Sequence, residues 1–220
     1  MRLAEQLNAL APGDTPKKSM FVTTGAEAVE TALKAARKWG YKVKGVPEDH
    51  AHILTCHGNF HGRTITVISF SPQESYRDGF GPFTPGFELI PFGDASALEA
   101  AITPHTVAFM VEPIQGEGGV IVPGEDYLRQ AREICDRHGT LLIFDEVKTG
   151  ITAGYGGATR QLGVEPDRLY TDHGLTGRNR ERPGLDQALA PGLGLEERRA
   201  DELGEVAQAS GHVGIVSWGD

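Results

Sequence analysis

The feature that most constrains the fold is a strand, a helix and a second strand in direct succession between Thr106 and Phe144. Thr106 to Val111 is an apolar run that reads as a buried strand. Tyr127, Leu128, Ala131, Ile134 and Cys135 then recur at helical spacing, and the helix they predict ends near Gly139. Leu141-Leu142-Ile143-Phe144 is continuously apolar, as a strand covered on both faces must be. Strand, helix and strand in this order make a βαβ unit. The unit predicts an α/β fold, a mainly parallel sheet with helices on both faces.

The preceding residues extend the alternation. Phe21 to Thr24 is a short extended run, and Val29, Ala32, Leu33 and Ala36 are spaced as a helix that should stop at Gly40. Ile53 to Cys56, Ile65 to Phe70 and Phe87 to Pro91 read as strands, and Asp94 caps a short helix running to Ala101. The pattern fades near Tyr170. All nine phenylalanines lie at or before Phe144, every lysine lies at or before Lys148, and Trp218 is the one aromatic residue after Tyr170. The chain therefore divides into residues 1–170, an α/β region, and residues 171–220, a divergent and poorly ordered tail whose first strand-like run is Val213 to Val216.

A formal net charge of -9 with no basic stripe argues against a nucleic-acid or anionic-membrane partner. No apolar run reaches membrane-spanning length and the first residues lack a signal-peptide core, so a cytoplasmic protein is expected. Cys56 and Cys135 make no C-x-x-C pair and read as buried thiols. His50, His52, His57 and His61 match no standard metal spacing, and no metal is expected.

Four segments carry candidate chemistry. Thr24-Gly25-Ala26-Glu27 joins strand to helix with a capping-box pattern, and its free N–H groups would suit a phosphate; an ordinary capped helix has the same sequence. Gly58-Asn59-Phe60-His61-Gly62-Arg63 follows a strand and sets two ring-bearing residues between glycines, suited to facing a flat cofactor or to plain packing. Val111-Glu112-Pro113-Ile114-Gln115-Gly116-Glu117 places carboxylates and a flexible turn at a strand's carboxyl end, the rim where open α/β sheets bind ligands. Asp145 ends an apolar strand, where a carboxylate needs a cation or donor to meet it; a protonated pyridine nitrogen or an arginine would serve.

In this order the four segments resemble the class III aminotransferases, pyridoxal-phosphate-dependent enzymes of fold type I. Lys38-Trp39-Gly40-Tyr41 and Phe80-Gly81-Pro82-Phe83-Thr84-Pro85-Gly86-Phe87 are similar to the ornithine aminotransferase branch. The resemblance implies that the chain is part of the large domain of such an enzyme, with pyridoxal phosphate as cofactor, amino acid and 2-oxo acid substrates, and a homodimeric assembly. It implies that Gly25 and Ala26 bind the cofactor phosphate, that Phe60 stacks on the ring beside His61, and that Asp145 holds the ring nitrogen protonated. Glu112 and Glu117 would line the substrate side, Glu117 matching an acid that pairs with an arginine of the C-terminal domain. The reaction implied moves the δ-amino group of ornithine to a 2-oxo acid.

The departures from the pattern are specific. Lys148 stands where the family has a glutamine that contacts the cofactor's phenolic oxygen. His173 falls at the place of the lysine that forms the Schiff base, and no lysine follows it. No counterpart of the C-terminal domain is expected, and no residue is assigned the lysine's catalytic role. These departures leave open a truncated or frame-shifted, inactive chain, or a non-catalytic binding module.

Overall fold

Seven strands form one sheet in the computed structural model, which describes residues 4–5, 8–9, 18–152, 157–171 and 214–218. In chain order the elements are β1 (Lys18–Val22), α1 (Gly25–Trp39), a π-helical turn (Gly40–Lys44), β2 (His52–Cys56), α2 (Ile65–Ile68) and a short 3-10 turn (Glu74–Tyr76). Then come β3 (Phe87–Ile90), α3 (Ala95–Ala101), β4 (Thr106–Val111), α4 (Tyr127–His138), β5 (Leu141–Asp145), α5 (Thr149–Thr152), α6 (Gly157–Leu162), β6 (Arg168–Thr171) and β7 (Gly214–Trp218).

The strands lie in the order β1-β7-β6-β5-β4-β2-β3. Every neighbouring pair from β6 to β3 is parallel, and β7 is antiparallel to both β1 and β6. The mainly parallel α/β sheet expected from the βαβ unit is therefore present. Its two faces are packed separately. Ile53, Met110, Leu141 and Ile143 point to the face covered by Ala28, Val29, Ala32 and Leu33 of α1. Leu54, Phe109, Leu142 and Phe144 point to the face covered by Leu98 of α3 and by Leu128, Ala131 and Cys135 of α4. The period-2 alternation along β5 thus feeds two cores, which is why its sequence is apolar at every position.

Arg132 of α4 donates from Nη1 to Asp167 Oδ2 at 2.8 Å, and Leu142 N donates to the same oxygen at 2.9 Å. This buried pair ties α4 to β5 and to the chain entering β6. Asp94 caps α3 as expected, its Oδ1 accepting from Ala97 N at 3.0 Å. Gly139 ends α4 in the left-handed conformation at φ 59°.

Two expectations are corrected. Ile65 to Phe70 is not a strand: Ile65–Ile68 is one helical turn, with Ile68 N bonded to Thr64 O at 2.9 Å. Val67, Ile68 and Phe70 are buried while Ile65 is exposed, and an apolar run this short fits either period. The helical path also does not stop at Gly40. It continues as one π turn and ends at Gly45, which takes the left-handed conformation at φ 79°. Gly40 is required for a different reason: a Cβ there would overlap Val107 Cγ1 of β4. The glycine lets the helix approach the sheet.

Candidate functional site

The loops at the carboxyl ends of β2, β4 and β5 meet the first turn of α1. Each is fixed by its own hydrogen bonds. After β2, Asn59 Nδ2 donates to Cys56 O at 2.7 Å and Phe70 O at 3.1 Å, which turns the chain so that Phe60 and His61 face the rim. After β4, Gln115 Nε2 donates to His57 O at 2.8 Å, and Phe60 N donates to Glu112 Oε2 at 3.1 Å. The second and third sequence motifs are thereby locked together. At α1, Thr24 Oγ1 accepts from Glu27 N at 3.2 Å. The Glu27 carboxylate reaches back to Thr23 N at 2.6 Å, one residue before the position a capping box uses.

Between these loops lies a cavity of ≈ 200 Å³. Gly25, Ala26, Phe60, His61, Gly62, Glu112, Ile114, Asp145, Val147 and Lys148 line it. All the residues singled out for the cofactor therefore share one cavity, together with Glu112. Glu117 is not among its lining; it sits outside, half-exposed, with its carboxylate in contact with Lys148 Nζ. His173 lies outside the described residues.

At the floor, His61 Nδ1 is 2.6 Å from Asp145 Oδ2, and both residues are buried. An ionised carboxylate can only accept, so His61 is the donor in this bond. Asp145 Oδ1 accepts from Val147 N at 2.9 Å. The carboxylate is thus oriented by two donors while remaining part of the cavity wall. Burial pushes the Glu112 carboxyl above the ordinary range; His61 opposes the shift and the Asp145 charge adds to it. The Lys148 ammonium, by hydrogen bond and charge, holds Glu117 below the ordinary range. Phe60 and Arg63 are joined by Tyr76: its ring meets Phe60 edge-on at 6.1 Å, and the Arg63 guanidinium lies 4.3 Å from its centroid.

Sequence reasoning passed over Glu146. It is fully buried and accepts from Thr149 Oγ1 at 2.9 Å, from Ala158 N at 2.7 Å and from Thr159 N at 2.7 Å, with Thr159 Oγ1 as a further donor. It binds the loop after β5 to the start of α6. Three of its four donors lie 12 or 13 residues ahead, so the signal in the sequence was a second acid directly after a strand end.

The site sets helix N–H groups, which suit an anionic group, beside a buried carboxylate, which suits a cationic or N–H-bearing ring, and an aromatic wall. The family model described as Aminotransferase class-III matches residues 1–177 of the chain. The chain belongs to the class-III aminotransferases. Among the members it resembles, the ornithine aminotransferase of Brevibacillus brevis is 64% identical over 157 residues, 71% of this chain and 39% of that protein. The ornithine aminotransferase of Bacillus subtilis is 50% identical over 157 residues, again 71% of this chain and 39% of the relative.

Solved structures of class-III aminotransferases agree with the fold. The ornithine aminotransferase of Toxoplasma gondii, whose crystals show partial occupancy of pyridoxal phosphate at the active site, superposes with TM-score 0.79 at 40% identity, covering 87% of this chain and 46% of that one. The acetylornithine aminotransferase of Elizabethkingia anophelis gives TM-score 0.66 at 41% identity, over 84% of this chain and 47% of that one. The chain thus spans 39% to 47% of the length of these relatives.

Proposed function

We propose that the chain carries the pyridoxal-phosphate site of an ornithine-aminotransferase-like transaminase. The reaction assigned to the complete protein moves the δ-amino group of ornithine to a 2-oxo acid. The observation that carries this reading is the buried Asp145–His61 pair facing a cavity that also takes in the first turn of α1.

The residues present fit the cofactor. The N–H groups of Gly25 and Ala26, at the positive end of a 15-residue helix, hold the phosphate. Phe60 offers its ring as a wall for a planar group. Asp145, aimed by His61 and Val147 N, would accept from a protonated ring nitrogen. When bound, pyridoxal phosphate supplies an electron sink for a carbanion formed at the substrate carbon. Glu112 lines the substrate side, and Glu117 borders it through Lys148, whose position next to the cofactor follows from its place in the cavity wall.

The amino acid and the 2-oxo acid as substrates, a homodimeric assembly and a cytoplasmic location belong to the same proposal. Among the described residues no helix is long and apolar enough to cross a membrane. Val120 and Val122 stand out from the loop after β4, at 84% and 65% exposure, which supports a covered surface in the assembly. Residues 1–170 are assigned to a partial cofactor-binding large domain and 171–220 to a divergent tail, from which Gly214–Trp218 adds strand β7.

A second reading is favoured by one residue. With His173 at the place of the Schiff-base lysine, the chain would hold cofactor and turn nothing over, as a truncated or frame-shifted product. Incubating the chain with pyridoxal phosphate, ornithine and 2-oxoglutarate and measuring glutamate tests both. Glutamate formed in step with ornithine loss supports the transaminase. Retained cofactor without glutamate supports the inactive chain.

A further inference from the structure

Lys148 stands apart from the other lysines of the described residues, because it is the one that lines the cavity. It lies in the turn that orients Asp145, where Val147 N donates to Asp145 Oδ1 at 2.9 Å and Gly150 N donates to Glu146 O at 2.8 Å. Its stem runs across Gly116, where an added Cβ would overlap Lys148 Cδ. The missing side chain at Gly116 is therefore what admits the lysine. Its ammonium ends at Glu117, with the two side chains 43% and 53% exposed. An ion pair this exposed is weak and opens readily.

Resting on the reading of this cavity as a pyridoxal-phosphate site, we infer that Lys148 is the amine that captures the cofactor's aldehyde. Glu117 accepts a proton from the Lys148 ammonium and frees the nitrogen lone pair. Nζ adds to the aldehyde carbon, forming a C–N bond and leaving the oxygen bound to the same carbon. That oxygen departs as water, carrying two protons that began on the ammonium, the first relayed by Glu117. The third remains on the nitrogen of the new C=N bond. Atoms and charge balance without an outside reagent. The role needs an amine in the cavity wall and a carboxylate within reach of it, and both are present. It does not need the residue at position 173.

The test uses the full chain with pyridoxal phosphate at equimolar ratio, reduced with borohydride and mapped by mass spectrometry of its peptides. Deoxypyridoxine phosphate, with a methyl group in place of the aldehyde, reports binding to the cavity separately. The expected result is binding of this analogue together with a reduced adduct concentrated on the peptide carrying Lys148. Lys148→Arg should lower that adduct roughly tenfold per bound analogue, since the arginine keeps the charge beside Glu117 and lacks the nucleophilic amine. Analogue binding with the adduct spread over surface lysines, or centred on Lys34, which lines a separate groove with Thr24, Ala26 and Glu27, overturns the inference and leaves the cofactor site standing. Failure of the analogue to bind overturns both.

Discussion

His61 Nδ1 and Asp145 Oδ2 lie 2.6 Å apart although 84 residues separate them in the chain. The sheet brings them together: β2 and β5 both pair in parallel with β4, so their carboxyl ends open onto the same rim. In a dry site a paired carboxylate is the partner a protonated ring nitrogen requires.

Replacing Asp145 by Asn keeps the acceptor for Val147 N and removes the charge. The expected outcome is a native far-ultraviolet spectrum with affinity for pyridoxal phosphate reduced by roughly tenfold or more. A fluorescence titration measures it. Unchanged affinity would show that the charge plays no part in holding the ring.

Glu146 satisfies two backbone amides and two hydroxyls from a fully buried position. Glu146→Ala strands those donors without water. Urea unfolding should show a loss of roughly 3 kcal/mol or more, as a lower midpoint at constant slope.

Gly40→Ala forces α1 away from Val107. A destabilisation of about 1–3 kcal/mol is expected from overpacking. Adding Val107→Ala removes the overlapping methyl groups, so the double variant should lose less than the sum of the two single changes. Simple additivity in a double-mutant cycle would mean that the two residues do not touch.

Glu112 is a buried acid whose protonated form is favoured in the folded state. The sign follows. A folded value raised above the unfolded one leaves stability complete below the ordinary carboxylate range, and stability falls as pH rises through the folded value. Glu112→Gln should therefore raise the Tm relative to the parent at pH 8, and the difference should shrink toward pH 4. A Tm difference that grows on acidification would contradict the burial account.

Much of the sheet was legible because its strands are apolar without interruption. Thr106 to Val111 and Leu141 to Phe144 cannot be amphipathic surface elements, and Gly139 marked the helix end between them through its left-handed turn. Ile65 to Phe70 was not legible, since a single apolar turn and a short strand share one composition. Gly40 was misread for a related reason: a glycine late in a helix looks like a stop, and only the packing of α1 on β4 reveals its contact with Val107. The cavity's lining came from motifs near strand ends, which the topology of an open α/β sheet gathers on one rim. The pairings across it depend on contacts between residues far apart in sequence. The reach of Lys148 over Gly116 is of this kind, and so, outside the cavity, are the bonds from Ala158 and Thr159 to Glu146.

We assign pyridoxal phosphate to the cavity between α1 and the rim of β5. Equilibrium dialysis of the full chain against the cofactor tests it most directly, with inorganic phosphate as competitor and the Asp145→Asn variant alongside. One saturable site per chain is expected, displaced by phosphate and weakened by the substitution. The absence of saturable binding, or binding indifferent to both phosphate and Asp145, would contradict it.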